Sequence, residues 1–263
     1  MMKDKTLLCI KNLNEVAYFK KLGISNFLFP LKDYSVGYDT FSLDDLKKLD
    51  VNVYIWVNRI LTDEDLEAFN ELEIPKNVKG FIIEDIGLYE ILKDKNYYLV
   101  CYQNHLNNNY KTVNYWLKYF DSLVISTDIT EEEIMKIIEN ADKPLVLNTF
   151  GYPMVMYSRR KLVSNFYRHL GIDAKLKMDI KEKISNKSFF LRENEYGTAI
   201  FASNPFDYRT LAKKIDSKVS FYLINASNLS ENDVVDIIEG KEIKFANRGF
   251  LDKKTIYKVS DIK

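Results

Sequence analysis

The chain has 263 residues, with 38 Lys and Arg against 38 Asp and Glu, so its formal net charge is zero. This balance argues against a general binder of nucleic acid or of membrane surfaces, which would carry a basic excess, but it allows a local basic patch. Because of this length and a hydrophobic content of 46%, we expect residues 1–263 to form a single α/β domain. The apolar stretch that follows Met1-Met2-Lys3-Asp4-Lys5 is too short for a signal sequence or a membrane span, which favours a cytoplasmic location.

Eight short apolar runs recur along the chain and predict buried β-strands. They are Leu7–Ile10, Phe27–Phe29, Val51–Val57, Gly80–Ile83, Tyr97–Tyr102, Leu123–Ile125, Leu145–Leu147 and Phe221–Ile224. The runs are continuous rather than alternating, which is typical of strands buried on both faces of a parallel sheet. Cys9 and Cys101 lie within the first and fifth runs, so both thiols are predicted to be core residues in a reducing compartment.

Helix starts recur between these runs. A Ser or Thr is followed three residues later by an acid at Ser42/Asp45, Thr62/Asp65, Thr130/Glu133 and Ser230/Asp233. Such pairs cap the exposed N–H groups of a first helical turn. Strands that alternate with helices indicate right-handed βαβ units, and eight units predict a TIM-like (β/α)8 barrel. An open doubly wound sheet is the alternative, but the nine glycines form no Gly-rich phosphate loop that would favour it.

The spacing of the runs breaks once, at residues 150–218. This stretch contains a helical pattern at Arg160–Leu170 and a charged connector at Lys175–Lys187. A β-hairpin follows, with strands Ser188–Leu191 and Thr198–Ala202. No Pro-rich or low-complexity linker sets the stretch apart. We therefore predict an insertion over one mouth of the barrel rather than a second domain.

Polar residues follow the predicted strands, where the loops of an α/β barrel build its site. Those chosen as site candidates are Asn58, Glu84, Asp85, Gln103, His105 and Asn148. His105, Glu84 and Asp85 are the catalytic candidates, because His or Glu can act as a general base. The alternative is that these residues only form hydrogen bonds within loops. The sequence has no zinc-ligand spacing and no Gly-x-Ser-x-Gly motif, so no metal ligand is predicted and a need for a divalent metal is left open.

The segment Phe150–Lys161 places a glycine and a proline after a buried strand and then Ser158-Arg159-Arg160 before a helix. Guanidinium groups and helix N–H groups in this arrangement can bind a carboxylate or a phosphate. Tyr152, Ser158, Arg159 and Arg160 are therefore candidates for substrate binding. The alternative is a loop whose arginines bond to backbone carbonyls.

The same segment resembles the signature of the U32 peptidase family, the collagenase-like proteases, through Phe150-Gly151, Tyr157-Ser158 and Arg160. Other stretches resemble blocks of that family in the same order along nearly the whole chain. They are Trp56-Val57-Asn58, Phe81–Gly87, Gln103–Asn107, Leu123–Ser126, Arg192–Tyr196 and Gly249–Tyr257.

The resemblance implies a hydrolase-like peptidase, or a relative of U32 proteins that take part in oxygen-independent or prephenate-dependent hydroxylation of RNA or quinones. Several of those proteins hold an iron–sulfur cluster on four cysteines. Their signature cysteines correspond here to Met154 and Lys161, so we expect no such cluster. Ser158 has no base partner visible in the sequence, and the resemblance nominates no nucleophile.

Two functional hypotheses follow. The first is a U32 peptidase with a polar, anion-binding pocket for a small ligand or a peptide, in which His105 or Glu84 is the base and Arg159 or Arg160 stabilises an anion. The second is a non-catalytic accessory protein that acts with a U32 paralogue or another RNA-modification partner. A barrel that binds a metabolite and regulates another protein is a third alternative.

Overall fold

The computed structural model describes residues 3–184 and 186–253. The strands are β1 (Thr6–Cys9), β2 (Asn26–Pro30), β3 (Asn52–Val57), β4 (Val78–Ile83), β5 (Tyr98–Cys101), β6 (Ser122–Leu123), β7 (Leu145–Gly151), β8 (Met154–Ser158), β9 (Lys177–Lys181), β10 (Ser188–Asn194), β11 (Gly197–Ala202), β12 (Phe206–Asp207) and β13 (Val219–Asn225). The α-helices are α1 (Asn14–Lys21), α2 (Leu43–Leu46), α3 (Asp63–Asn70), α4 (Gly87–Leu92), α5 (Tyr110–Trp116), α6 (Glu131–Asn140), α7 (Leu162–Leu170), α8 (Arg209–Ile215) and α9 (Glu231–Ile238). Within the described ranges, no helix has the length and apolar content needed to cross a membrane.

The larger sheet has nine strands in the order β12-β7-β13-β1-β2-β3-β4-β5-β6. Its eight parallel strands are those predicted from the apolar runs, and β12 is a short antiparallel addition to β7. The sheet is curled, and an isolated parallel bridge joins Val124, just after β6, to Val146 in β7. The predicted α/β fold is therefore confirmed in its coarser form, a curled and mainly parallel sheet.

Apolar side chains pack on both faces of this sheet. One buried cluster lies within its curl and draws Leu7 and Cys9 from β1, whereas Leu8 between them packs in the cluster under the outer helices. Successive side chains of a strand point to opposite faces, so both faces of each strand must be apolar. This requirement explains why the strands appear in the sequence as continuous hydrophobic runs.

The four predicted helix starts are confirmed. The side chain of Ser42 accepts a hydrogen bond from the backbone N–H of Asp45, and Thr62, Thr130 and Ser230 each form a reciprocal capping box with the acid three residues later. Each cap marks the end of the connection that follows a strand and the start of the helix that packs on the outer face of the sheet. The loops between strand and helix are thereby gathered at one end of the sheet.

The insertion forms a second sheet, which is antiparallel and has the order β8-β11-β10-β9. The predicted hairpin is present as β10 and β11. Two other expectations were wrong: the charged connector contains β9, and the segment before the helix forms β8, so α7 begins at Leu162 rather than Arg160. β9 is a largely exposed edge strand with the sequence Lys-Met-Asp-Ile-Lys, and its pairing with β10 decides its conformation.

The second sheet is anchored to the loop that follows β2. The side chain of Asn194 donates to the backbone carbonyl of Ser35 at 2.9 Å, and the hydroxyl of Tyr196 donates to Asp33 at 3.1 Å. Gly37 has a φ of +81°, and a Cβ there would lie 2.7 Å from the Cβ of Ala199, so only glycine allows this approach. These contacts join the second sheet to the end of the larger sheet where the parallel strands finish.

A buried carboxylate joins this sheet to α7. Glu193 of β10 accepts hydrogen bonds from the backbone N–H groups of Val163 and Ser164 at 2.8 and 2.9 Å, and from the hydroxyls of Ser164 and Thr198. Burial opposes ionisation of Glu193, but these four hydrogen bonds outweigh it and lower its pKa. The Glu193 carboxylate thus caps the N-terminus of α7, whose own N-cap residue, Lys161, forms no side-chain cap.

We expect Glu193→Gln to lower the free energy of unfolding by about 1–3 kcal/mol, because the amide group turns a donor toward backbone N–H groups. Since the pKa of Glu193 is lowered on folding, its contribution is present above the unfolded pKa of about 4.3 and is lost as pH falls through the folded pKa. Urea denaturation at several pH values measures both effects. Glu195→Gln, at an exposed position two residues away, is the matched control. Equal stabilities of the two variants would contradict the assignment.

Candidate functional site

A cavity of about 350 Å³ lies where the parallel strands end. Its walls come from the ends of β3, β7 and β13, from the loops after β2, β4, β5 and β6, and from β8 of the second sheet. The polar and aromatic lining residues are Tyr38, Trp56, Asn58, Arg59, Glu84, Tyr102, Gln103, Asn104, His105, Thr127, Asn148, Tyr152, Tyr157, Phe206 and Asn225. The strand ends and the insertion therefore build the cavity together.

Three aromatic rings form one side of the cavity. The ring of Trp56 packs between Tyr38, at 4.6 Å between centroids, and Tyr102, at 5.7 Å and 19° from parallel. Trp56 is 2% exposed, and burial raises the pKa of both tyrosine hydroxyls, so both stay protonated at neutral pH. The two tyrosines are partly exposed on the cavity wall, whereas Trp56 is buried against them.

Glu84 follows β4 directly and faces the cavity. The indole N–H of Trp56 donates to its Oε1 at 3.1 Å. Its carboxyl group is surrounded by protein, and this desolvation raises its pKa to about 8, although the indole hydrogen bond opposes the shift. Glu84 is therefore mostly protonated at neutral pH, so it can donate a hydrogen bond or act as a general acid.

Asn148 in β7 presents an unsatisfied acceptor. Its side chain is 5% exposed, and its Nδ2 donates to the hydroxyl of Tyr102 at 3.1 Å. Its Oδ1 is buried without a hydrogen-bond partner. A buried polar atom left without a partner costs about 1–3 kcal/mol. A group that donates a hydrogen bond from within the cavity would remove this cost.

The two basic side chains of the lining both lie against carboxylates. Arg59 is 6% exposed and donates to Asp65, whose pKa is lowered because hydrogen bonds from Thr62 and Arg59 outweigh the effect of burial. His105 has an 84% exposed side chain at the rim, with its Nδ1 3.3 Å from Oδ2 of Asp128. Within the described residues, each basic side chain of the lining therefore has a carboxylate neighbour.

Six of the ten site residues predicted from the sequence line the cavity: Asn58, Glu84, Gln103, His105, Asn148 and Tyr152. Asn58 uses both ends of its amide on the backbone of Val36, at 2.9 and 3.0 Å, and so holds the loop after β2. Gln103 donates to the backbone carbonyl of Glu84. Glu84 and Asn148 both keep hydrogen-bonding capacity for a ligand.

The other four predicted site residues are outside the lining. Asp85 accepts from the backbone N–H groups of Leu61 and Gly87 at 2.8 and 2.9 Å, which shapes its own loop. The Oγ of Ser158 accepts from the backbone N–H of Arg160 at 3.1 Å. Arg159 and Arg160 are exposed at the end of β8.

The aromatic side of the cavity was missing from the predicted site residues. Trp56 and Tyr102 lie at or near the ends of predicted strands, and this position indicated that they could reach the site. They were missed because only polar residues were chosen as candidates. Tyr38 gave none, because it lies in an irregular loop and reaches Trp56 only through the fold of that loop.

Within residues 3–184 and 186–253, no group of three or more His, Cys, Asp or Glu side chains is placed to hold a metal ion. Cys9 and Cys101 are buried on opposite faces of the sheet, and burial raises the pKa of each thiol to about 12. Thiolate ligands need the opposite shift. These two residues therefore do not fit a four-cysteine iron–sulfur cluster.

The sequence profile of peptidase family U32 matches residues 41–175, just over half of the chain. The matched range contains all ten predicted site residues. The chain is also similar to the tRNA hydroxylation protein P2 of Bacillus subtilis, with 30% identity over 88 residues. That similarity spans 33% of this chain and 27% of the length of the relative.

Solved structures with a similar fold include a chitinase from Chromobacterium violaceum, with a TM-score of 0.43 and 9% identity over 90% of this chain and 98% of the other. The spore cortex-lytic enzyme SleL of Bacillus megaterium gives a TM-score of 0.42 and 10% identity, over 92% of this chain and 75% of the other. Neither TM-score reaches 0.5, so these structures say nothing about the ligand of this cavity.

We expect the Glu84 carboxyl group to titrate with a midpoint of about 8, which infrared or carbon-13 NMR spectroscopy of the carboxyl group measures. Between the unfolded pKa of about 4.3 and this value the folded chain binds the extra proton, so stability falls as pH rises across that window. Glu84→Gln removes this part of the pH dependence, whereas Glu73→Gln at an exposed position leaves it in place. A midpoint near 4 would contradict the burial of the carboxyl group.

Proposed function

The chain belongs to peptidase family U32, and on that premise we propose that it is an RNA-modification factor of the kind its Bacillus subtilis relative is named for. In this proposal the cavity binds a flat, uncharged polar group such as an unpaired nucleobase. The observation that carries the proposal is the buried Oδ1 of Asn148, which has no hydrogen-bond partner among the described residues and belongs to a residue that lines the same cavity as Glu84. An RNA substrate is consistent with the cytoplasmic location that the sequence favours.

The chemistry of the cavity matches the edge and the face of a base. The Oδ1 of Asn148 accepts from a ring N–H, and the carboxylic acid of Glu84 donates to a ring carbonyl or nitrogen. The partly exposed rings of Tyr38 and Tyr102 are available for stacking, and Trp56 packs against both. Proteins that act on a base in RNA read it unstacked, through its edges and by aromatic stacking.

Charge favours this ligand over the small anion predicted from the sequence. Arg59, the arginine of the lining, is already paired with Asp65, and His105 lies beside Asp128, so a negative ligand would find no unpaired arginine or lysine among the described lining residues. Burying an unpaired charge costs more than burying a neutral group that forms its hydrogen bonds. We therefore propose that the part of the ligand bound in the cavity is neutral.

A peptidase would need a nucleophile or an activated water beside its base. Ser158 lies outside the lining, and the hydroxyl of Thr127 donates to Asn104 at 3.3 Å. The peptidase hypothesis that fits the geometry best is one in which Glu84 acts as a general base and activates a water molecule. Hydrolysis of gelatin or peptides by the purified chain, lost in Glu84→Gln, would favour it over the RNA proposal.

We also propose that the chain acts with a partner subunit, such as a U32 paralogue. Hydroxylation is an oxidation and needs a redox group. The two cysteines of this chain do not fit the four-cysteine iron–sulfur cluster that several U32 proteins hold. Its part would then be to bind the RNA while the partner supplies the redox group.

For the fold, we propose that the eight parallel strands close into a single barrel domain interrupted by the 150–218 insertion. The bridge between Val124 and Val146 supports closure, as does the hydrogen bond from Ser122 to the backbone carbonyl of Pro144 at 2.9 Å. The cluster within the curl also draws side chains from, or directly next to, all eight strands.

We expect Asn148→Ala to weaken the binding of nucleosides on the order of 10-fold or more, from about 1–3 kcal/mol for the lost hydrogen bond. Calorimetry with uridine, cytidine, adenosine and guanosine measures the affinity and the preferred base. Asn165→Ala, an exposed asparagine on α7, is the matched control. Binding should also weaken above pH 8, because ionised Glu84 no longer donates. Failure of all four nucleosides to bind would overturn the assignment of the cavity.

A further inference from the structure

A groove of about 970 Å³ runs from the cavity between the start of β10 and the segment that follows α9. It shares His105, Thr127, Pro153, Met154, Val155 and Phe206 with the lining of the cavity. The groove and the cavity are therefore one continuous surface. A chain-like ligand in the groove could place one of its units in the cavity.

The groove carries an exposed aromatic ring on a fixed loop. Phe250 is 43% exposed, and its backbone N–H donates to the hydroxyl of Tyr208 at 3.1 Å. That hydroxyl in turn donates to the backbone carbonyl of Thr127 at 2.9 Å, and Asn247 accepts from the N–H of Gly249 at 2.7 Å. The loop is thus bonded to the rim of the cavity, and it holds Phe250 in place as a stacking surface. Phe189 adds a second ring from β10.

Among the described residues, the groove is lined by the basic side chains of Lys187, Arg248 and Lys253 and by the carboxylate of Asp128. Arg248 is offset by ion pairs with Glu131 and Asp252. The ammonium group of Lys253 lies 4.2 Å from the centre of the Phe250 ring and has no ion pair within the described part of the chain. A cation beside an exposed ring suits a phosphate next to a stacked base.

We propose that this groove binds a single-stranded segment of RNA and leads one of its bases into the cavity. This inference rests on the function proposed above and names the surface that holds the rest of the substrate. Bases stack on Phe250 and Phe189, and Lys253 lies against the phosphate backbone. An extended peptide would also find rings and amide groups here, but it would leave the ammonium group of Lys253 without a role.

The test is fluorescence anisotropy with a labelled ten-nucleotide RNA of mixed sequence, at several salt concentrations. Phe250→Ala should weaken binding by about 5- to 150-fold, the range for loss of one base–aromatic stack. Lys253→Gln should lower the slope of log affinity against log salt by about 0.7, the value for one phosphate contact on a single strand. The matched controls are Phe245→Ala, at a ring that is 45% exposed outside the groove, and Lys244→Gln beside it.

The outcomes separate the two proposals. If Phe250→Ala binds RNA like Phe245→Ala while Asn148→Ala is weakened, the groove is wrong and the cavity assignment stands. If the wild-type chain binds no RNA, or binds a gelatin peptide in the groove instead, both are overturned. Phe250→Tyr keeps a ring and should restore binding, which separates stacking from any loss of folding seen for Phe250→Ala.

Discussion

The alignment of eight parallel strands is the constraint on which the other features of this protein depend. Because both faces of the sheet are buried, each strand consists almost wholly of apolar residues, and polar side chains are displaced to the strand ends. Parallel strands finish at the same edge, so Glu84, Tyr102, Asn148 and Asn225 meet although up to 141 positions separate them in the chain. The polar site is a consequence of the apolar packing.

The second sheet turns this open edge into an enclosed cavity. Its anchoring to the loop after β2 requires the close approach at Gly37, and its strand β8 forms one wall. Glu84 lines the cavity that this wall helps to form, and desolvation raises the pKa of its carboxyl group to about 8. The second sheet and the larger sheet therefore contribute to the same site.

Membership of a peptidase family and the chemistry of the cavity suggest different functions. The cavity has an acid, an amide acceptor and stacked rings, but its cations are paired and Ser158 lies outside it. These features suit recognition of a neutral flat group better than stabilisation of the oxyanion formed in peptide hydrolysis. The similarity to a tRNA hydroxylation protein leads to the same preference, although it covers only 27% of that relative.

The sequence by itself determined the eight parallel strands and four helix starts, because these depend on local periodicity and on caps within four residues. It also predicted that Asn58, Glu84 and Asn148 lie at strand ends, and all three line the cavity. Tertiary structure alone decided that Arg59 is paired, that the Oδ1 of Asn148 has no partner and that Tyr38 reaches Trp56. It likewise decided that the polar segment Lys177–Lys181 is a strand. These properties depend on groups distant in the chain, whose approach is governed by packing rather than by any local pattern.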